Sequence, residues 1–133
     1  MKQVLLFSFI IIAVVTSGCT SVSPIHQNIV NGDISVGAGK YVYYQFSVPS
    51  QASISGEFSA SGGSGNDIEI LILDETSYIN WINGHSVSAY YDSGQMTTGS
   101  ITASVPAGKY YLIYSNKFST LSDKTVKTKV DVS

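Results

Sequence analysis

Tyr41-Val-Tyr-Tyr-Gln-Phe-Ser-Val48, then Pro49-Ser50-Gln51, then Ala52-Ser-Ile-Ser-Gly-Glu-Phe-Ser-Ala60 is the stretch that decides the fold. In the first run Val42, Tyr44, Phe46 and Val48 alternate with Tyr41, Tyr43, Gln45 and Ser47. In the second, Ala52, Ile54, Gly56, Phe58 and Ala60 alternate with Ser53, Ser55, Glu57 and Ser59. A period of two places successive side chains on opposite faces of a strand. Each run therefore reads as a half-buried strand, and Pro49 separates them. The hydroxyl-rich set faces water and the apolar set faces a core.

The same reading extends toward the C-terminus. Ser61-Gly-Gly-Ser-Gly-Asn66 is a loop by composition. Asp67–Asp74 is apolar nearly throughout, as a central strand would be, with Ile68, Ile70 and Ile72 inward. Glu75–Gly84 breaks the period: Tyr78 and Trp81, and Ile79 and Ile82, are three apart, which predicts a short helix ended by Asn83-Gly84. Further strands are expected over 86–92, with Val87, Ala89 and Tyr91 in phase, and over 97–105, with Ile101, Ala103 and Val105 in phase. Pro106-Ala107-Gly108 turns the chain into an aromatic strand over 109–115. A last strand over 124–132 turns Val126, Val130 and Val132 inward. Its Lys127 and Lys129 point outward, the arrangement that protects a sheet edge. About eight short strands with turn signals between them predict an all-β fold, an antiparallel β-sandwich of jelly-roll-like form over 29–133.

Composition narrows the function. The chain has 133 residues, one Cys and no Arg among its seven basic residues. One Cys excludes an internal disulfide framework. The formal charge of −2 and the absence of a basic cluster exclude nucleic acid as the expected partner. No cofactor is implied. No G-x-S-x-G or H-E-x-x-H motif occurs, His26 sits in a polar tether and His85 follows a turn, so no catalytic residues are expected.

The N-terminus reads as an address. Lys2 precedes the apolar run Val4–Val15, and Thr16, Ser17 and Gly18 are small. Residues 1–18 have the charge, length and cleavage chemistry of a secretory signal peptide. The run falls short of the ~20 residues a spanning helix needs. Thr16-Ser17-Gly18-Cys19 resembles the bacterial lipobox. The resemblance implies that Cys19 becomes the first residue of the mature protein and carries a thioether-linked diacylglycerol and an N-acyl chain such as palmitate. The partner so implied is the membrane, reached through lipidated Cys19. Residues 19–28 then form a polar tether. Thr20 stands where Asp would favour inner-membrane retention, so the expected place is the bacterial cell envelope, at the outer membrane in a diderm host. The mature chain carries six Lys against nine Asp and Glu, a formal charge of −3.

Asn66-Asp67-Ile68-Glu69-Ile70, then Val105-Pro-Ala-Gly-Lys-Tyr-Tyr-Leu112, then Ser115-Asn-Lys-Phe-Ser119, then Lys124-Thr125-Val126 form a progression. It resembles the GOLD domain of the emp24/p24 type over roughly 29–132. The resemblance implies a two-sheet sandwich that binds protein or membrane-associated partners without catalysis. After Cys19 this chain carries no Cys pair, heptad stalk or apolar spanning stretch, so cargo transport is not implied.

Two constellations could hold a ligand. Tyr78, Trp81, Tyr90 and Tyr91 could form an aromatic platform for sugar rings, which would make the domain a carbohydrate-binding module with a glycan partner. The competing reading has these rings plug the space between the sheets. Tyr41 and Tyr43, on the outward phase of their strand, are a second possible surface patch, of a residue type enriched at interfaces. Gly62-Gly-Ser-Gly-Asn-Asp67 matches the start of a calcium nonapeptide, with Asp67 and Glu69 as oxygen donors. It occurs once, and such ions are shared between stacked copies, so a turn before a strand is the simpler reading. The lipobox-like end and the GOLD-like progression make the leading expectation a lipid-anchored, non-catalytic interaction domain that binds another envelope protein or the membrane surface.

Overall fold

The computed structural model describes residues 26–133; Cys19 and the signal sequence lie outside them. The alternating runs form strands in the phases their apolar residues dictate. The elements are β1 (Gln27–Val36), β2 (Tyr41–Val48), β3 (Ala52–Ser61), β4 (Ile68–Asp74), α1 (Glu75–Ile82), β5 (Tyr91–Met96), β6 (Thr98–Val105), β7 (Gly108–Ser115) and β8 (Lys124–Val132). Strand β1 thus opens two residues before the expected domain start at Ile29.

The pairing is nested. β1 pairs with β8, β2 with β7, β3 with β6 and β4 with β5, all antiparallel. Two further pairings, β3 with β8 and β4 with β7, join these into sheets of order β1-β8-β3-β6 and β2-β7-β4-β5. This is an all-β sandwich of eight strands with the nested order of a jelly roll.

Between the sheets lie Phe46, Val48, Ile54, Phe58, Ile68, Ile70, Ile72, Ile101, Leu112, Tyr114, Val126 and Val130, all buried. Burial of this aliphatic and aromatic surface is the main stabilising term. Tyr114 brings a hydroxyl into the core and meets Thr128 Oγ1 at 2.7 Å, while Thr128 donates to the Glu57 carbonyl. Gly56 interrupts the apolar series of β3 for a steric reason. A Cβ there would sit 2.3 Å from the Lys129 carbonyl oxygen. The β3 and β8 backbones approach closely at that point.

Two expectations are corrected. The strand expected over 86–92 is displaced: Ser86–Ala89 is irregular and β5 runs from Tyr91 to Met96. The alternation of Val87 and Ala89 is real, but it packs those side chains on the outer face of the second sheet rather than pairing a strand. The last strand is not an edge. β8 lies between β1 and β3, so Lys127 and Lys129 project from the middle of a sheet. The inward phase of β8 also includes Lys124, which is 3% exposed.

That ammonium is satisfied. Lys124 Nζ donates to Asp67 Oδ1 at 2.8 Å and to the Asp67 carbonyl at 2.6 Å, and lies 4.8 Å from the Phe118 ring centroid. Beside it, buried Asn116 donates through Nδ2 to the carbonyls of Val36, Gly37 and Ser122. Asn116 and Lys124 tie together the loops at the end remote from the start of β1.

Candidate functional site

Strand β7 is buried on both faces, from Tyr110 to Ser115. Tyr110, Leu112 and Tyr114 enter the core between the sheets. Tyr111 and Ile113, of opposite phase, join Leu71 and Leu73 of β4 in a second apolar cluster on the outer face of the second sheet. Helix α1 covers that cluster. Asp74 caps its N-terminus by accepting from the Ser77 amide at 2.8 Å, and Asn83 ends it. No residue of α1 is fully buried.

The helix lays Tyr78 flat on Tyr111, with ring centroids 4.0 Å apart and planes 5° from parallel. Tyr43 packs against both, at 5.4 and 5.6 Å. One turn on, Trp81 meets Tyr41 edge-on at 4.9 Å. The Tyr41 and Tyr78 hydroxyls are 3.2 Å apart. Lys117 Nζ stands 4.6 Å from the Trp81 ring centroid, a cation–π geometry. Burial pushes the Tyr78 phenol well above its ordinary value, and the Tyr41 hydroxyl adds to the shift. The Tyr78 phenol therefore stays neutral at physiological pH.

The four rings expected as one platform do not converge. Tyr78 and Trp81 join Tyr41 and Tyr43, so the two aromatic patches read separately in the sequence are one surface. Tyr90 lies elsewhere, edge-on to Tyr110 at 5.5 Å. Tyr91 packs against the core, and its hydroxyl donates to the Ser100 carbonyl at 2.8 Å. The plug reading fits Tyr91, which packs against the core, but not Tyr78 and Trp81, which sit outside the sandwich. Sequence reasoning missed Tyr111 and Lys117. The signal for Tyr111 was a strand aromatic in both phases, which implies that both faces are covered.

The oxygen donors considered for calcium have other engagements. The Asp67 carboxylate is bound by Lys124. Glu69 is pushed up by burial and, next, by the neighbouring carboxylate of Asp92 on β5. Among the described residues, no group of three or more His, Cys, Asp or Glu has metal-site geometry. Among them, no helix is long and apolar enough to cross a membrane.

The rim of the patch is apolar and open. Tyr43 is 47% exposed, Ile79 50% and Ile82 42%. No family model matches this chain, and no curated protein matches it.

Proposed function

We propose that this chain is a bacterial cell-envelope lipoprotein, anchored through acylated Cys19, whose GOLD-like sandwich is a non-catalytic module that binds another envelope protein. The observation that carries the reading is the half-exposed patch of Tyr41, Tyr43, Tyr78 and Trp81 with exposed Ile79 and Ile82 on α1. Aromatic residues are enriched at interfaces, and contiguous exposed apolar surface marks binding sites. Placement favours a protein partner over the anchoring membrane. Trp81 and Tyr41 lie toward the end of the sandwich where β1 turns into β2, while the chain leads back to Cys19 from the opposite end of β1. The sugar-platform reading has less support, because Tyr78 gives a ring face to Tyr111 and Trp81 has Lys117 over its ring.

The test is in-cell photo-crosslinking of the full chain from a probe at Ile79. One reproducible envelope protein is expected, and its capture is lost in Trp81→Ala while the circular dichroism spectrum is retained. Capture of glycan alone, or capture indifferent to Trp81→Ala, overturns the reading. Cys19→Ser is expected to release the protein from membranes and abolish labelling by fatty acid; retention of both overturns the anchor.

A further inference from the structure

The sandwich has four edge strands, and three of them are blunted. β1 carries a register break between Asn28 and Val30, Gly32 at φ +149° and the charge of Asp33. β5 contains a register break opposite Glu69 and Leu71, the charge of Asp92 and Gly94 at φ +64°. On β6 the Ser100 carbonyl is already taken by the Tyr91 hydroxyl. These are the devices by which a sheet edge avoids further pairing.

β2 has none of them. From Tyr41 to Val48 it contains no charge, no Pro and no Gly, and its register with β7 is unbroken. Lys40, just before it, accepts at its carbonyl from the Asn116 amide, so that residue faces the β7 side. In an antiparallel ladder successive residues alternate in direction. Val42, Tyr44, Phe46 and Val48 thus bond toward β7. Tyr41, Tyr43, Gln45 and Ser47 present their amide and carbonyl groups to the open side. Helix α1 meets β2 through side chains on the outer face of the sheet, Tyr78 on Tyr43 and Trp81 on Tyr41, and no backbone hydrogen bond runs from it to this edge. The adjoining flank of the core is also unfinished. Ile29, Ile34, Val42 and Tyr44 are only partly buried there, against Tyr91 alone on the opposite flank.

We propose that β2 pairs antiparallel with β2 of a second copy of this chain, about a two-fold axis at Tyr44. A second copy fits because the strand is self-complementary. With the axis at Tyr44, Tyr43 stands opposite Gln45 of the second copy and Tyr41 opposite its Ser47. All four outward-bonding residues then find partners. No like charges meet, because the strand has none. The two Tyr44 rings flank the axis on the core side and cover the half-buried flank. An isologous contact of this kind closes at two copies. It would join the two four-stranded sheets β2-β7-β4-β5 into one continuous sheet and place two aromatic patches on a shared face. The inference goes beyond the proposed partner binding, which uses side chains on the outer face of the sheet and α1 rather than the backbone edge of β2.

The experiment uses the full chain in its membrane, with a photo-crosslinking residue in place of Ser47, exposed on β2 and outside the aromatic patch, or, as control, of Thr102 on β6. A covalent species of twice the chain mass, containing only this protein, is expected from position 47 and not from 102. Gln45→Pro in the same background removes one outward amide and leaves the β7 ladder intact, so the doubled species is expected to vanish while the circular dichroism spectrum is kept. Absence of the doubled species, its persistence in Gln45→Pro, or capture of a different protein at position 47 overturns the proposal. The Ile79 probe reads the patch separately, so either proposal can fail alone.

Discussion

Lys124 and Asp67 show how much one position can carry. The ammonium is almost fully withdrawn from water and its charge is met by one carboxylate, 24% exposed at its side chain. Removing a single partner of such a pair strands a buried charge. Asp67→Ala is expected to lower stability by about 3 kcal/mol, the low end for a buried pair because Asp67 keeps some solvent. The double variant Asp67→Asn, Lys124→Met is expected to recover most of that loss in urea unfolding. The strand phase places Lys124 with Val126 and Val130, so its inward direction is legible; its counter-charge 57 positions earlier is not, because spacing says nothing of which loop closes over a strand. Glu69 yields a pH prediction. Its carboxyl is raised by burial and by Asp92, so the folded protein holds that proton more tightly than the unfolded chain. Below the ordinary carboxyl range both states are protonated and there is no penalty. As pH rises toward the folded value, the unfolded chain ionises first and stability falls. Glu69→Gln is therefore expected to stabilise the protein at neutral pH, with the gain fading below about pH 4 in parallel urea titrations.

Helix α1 is held from outside the core. Its Tyr78–Tyr111 stack and its Asp74 cap fix it, and it buries no residue fully. Local stability follows buried apolar contact, so α1 is expected to exchange its amides faster than β4 or β7. Asp74→Ala is expected to cost about 1 kcal/mol and to accelerate exchange in α1 selectively. Trp81 is the only Trp and is half-buried. Its fluorescence is expected to remain accessible to iodide or acrylamide in the folded state, and a blue-shifted, unquenchable emission would contradict its position on the outer face. The three-residue spacings of Tyr78 with Trp81 and Ile79 with Ile82 made the helix legible. They left its location open, because a short apolar helix fits equally well inside a sandwich or on its back. The strand expected over 86–92 failed for a related reason. Val87 and Ala89 alternate because one side of the segment packs on a sheet face, and such alternation is indistinguishable in sequence from pairing at an edge.

At the scale of the molecule, the decisive contacts join the first and last strands of the sandwich. Gln27 lies opposite Val132, and β8 stands between β1 and β3. Period-two alternation says which faces the strands bury. It is silent on which strands are neighbours, and it left β8 looking like an edge. The lysines of its wet face serve solubility there, whereas the inward side chains reach two neighbours at once. Val130 makes the point: its Cα partners are Val30 on one side and Gly56 on the other. If β8 were an edge, trimming this side chain would loosen one ladder and be absorbed by movement of the strand. Because β8 is central, the space left by Val130→Ala is enclosed by both sheets and cannot collapse. It is expected to cost at least ~2 kcal/mol, against less than ~0.5 kcal/mol for Thr102→Ala on the exposed face of β6. Gly56→Ala tests the same closeness from the other strand, since its Cβ would collide with the Lys129 carbonyl. Overpacking at a backbone contact of this kind is expected to cost about 1–3 kcal/mol and to add to the Val130→Ala loss non-additively, since the two residues touch. Equal, small losses for all three variants in chemical unfolding would mean that β8 does not occupy the centre of the first sheet.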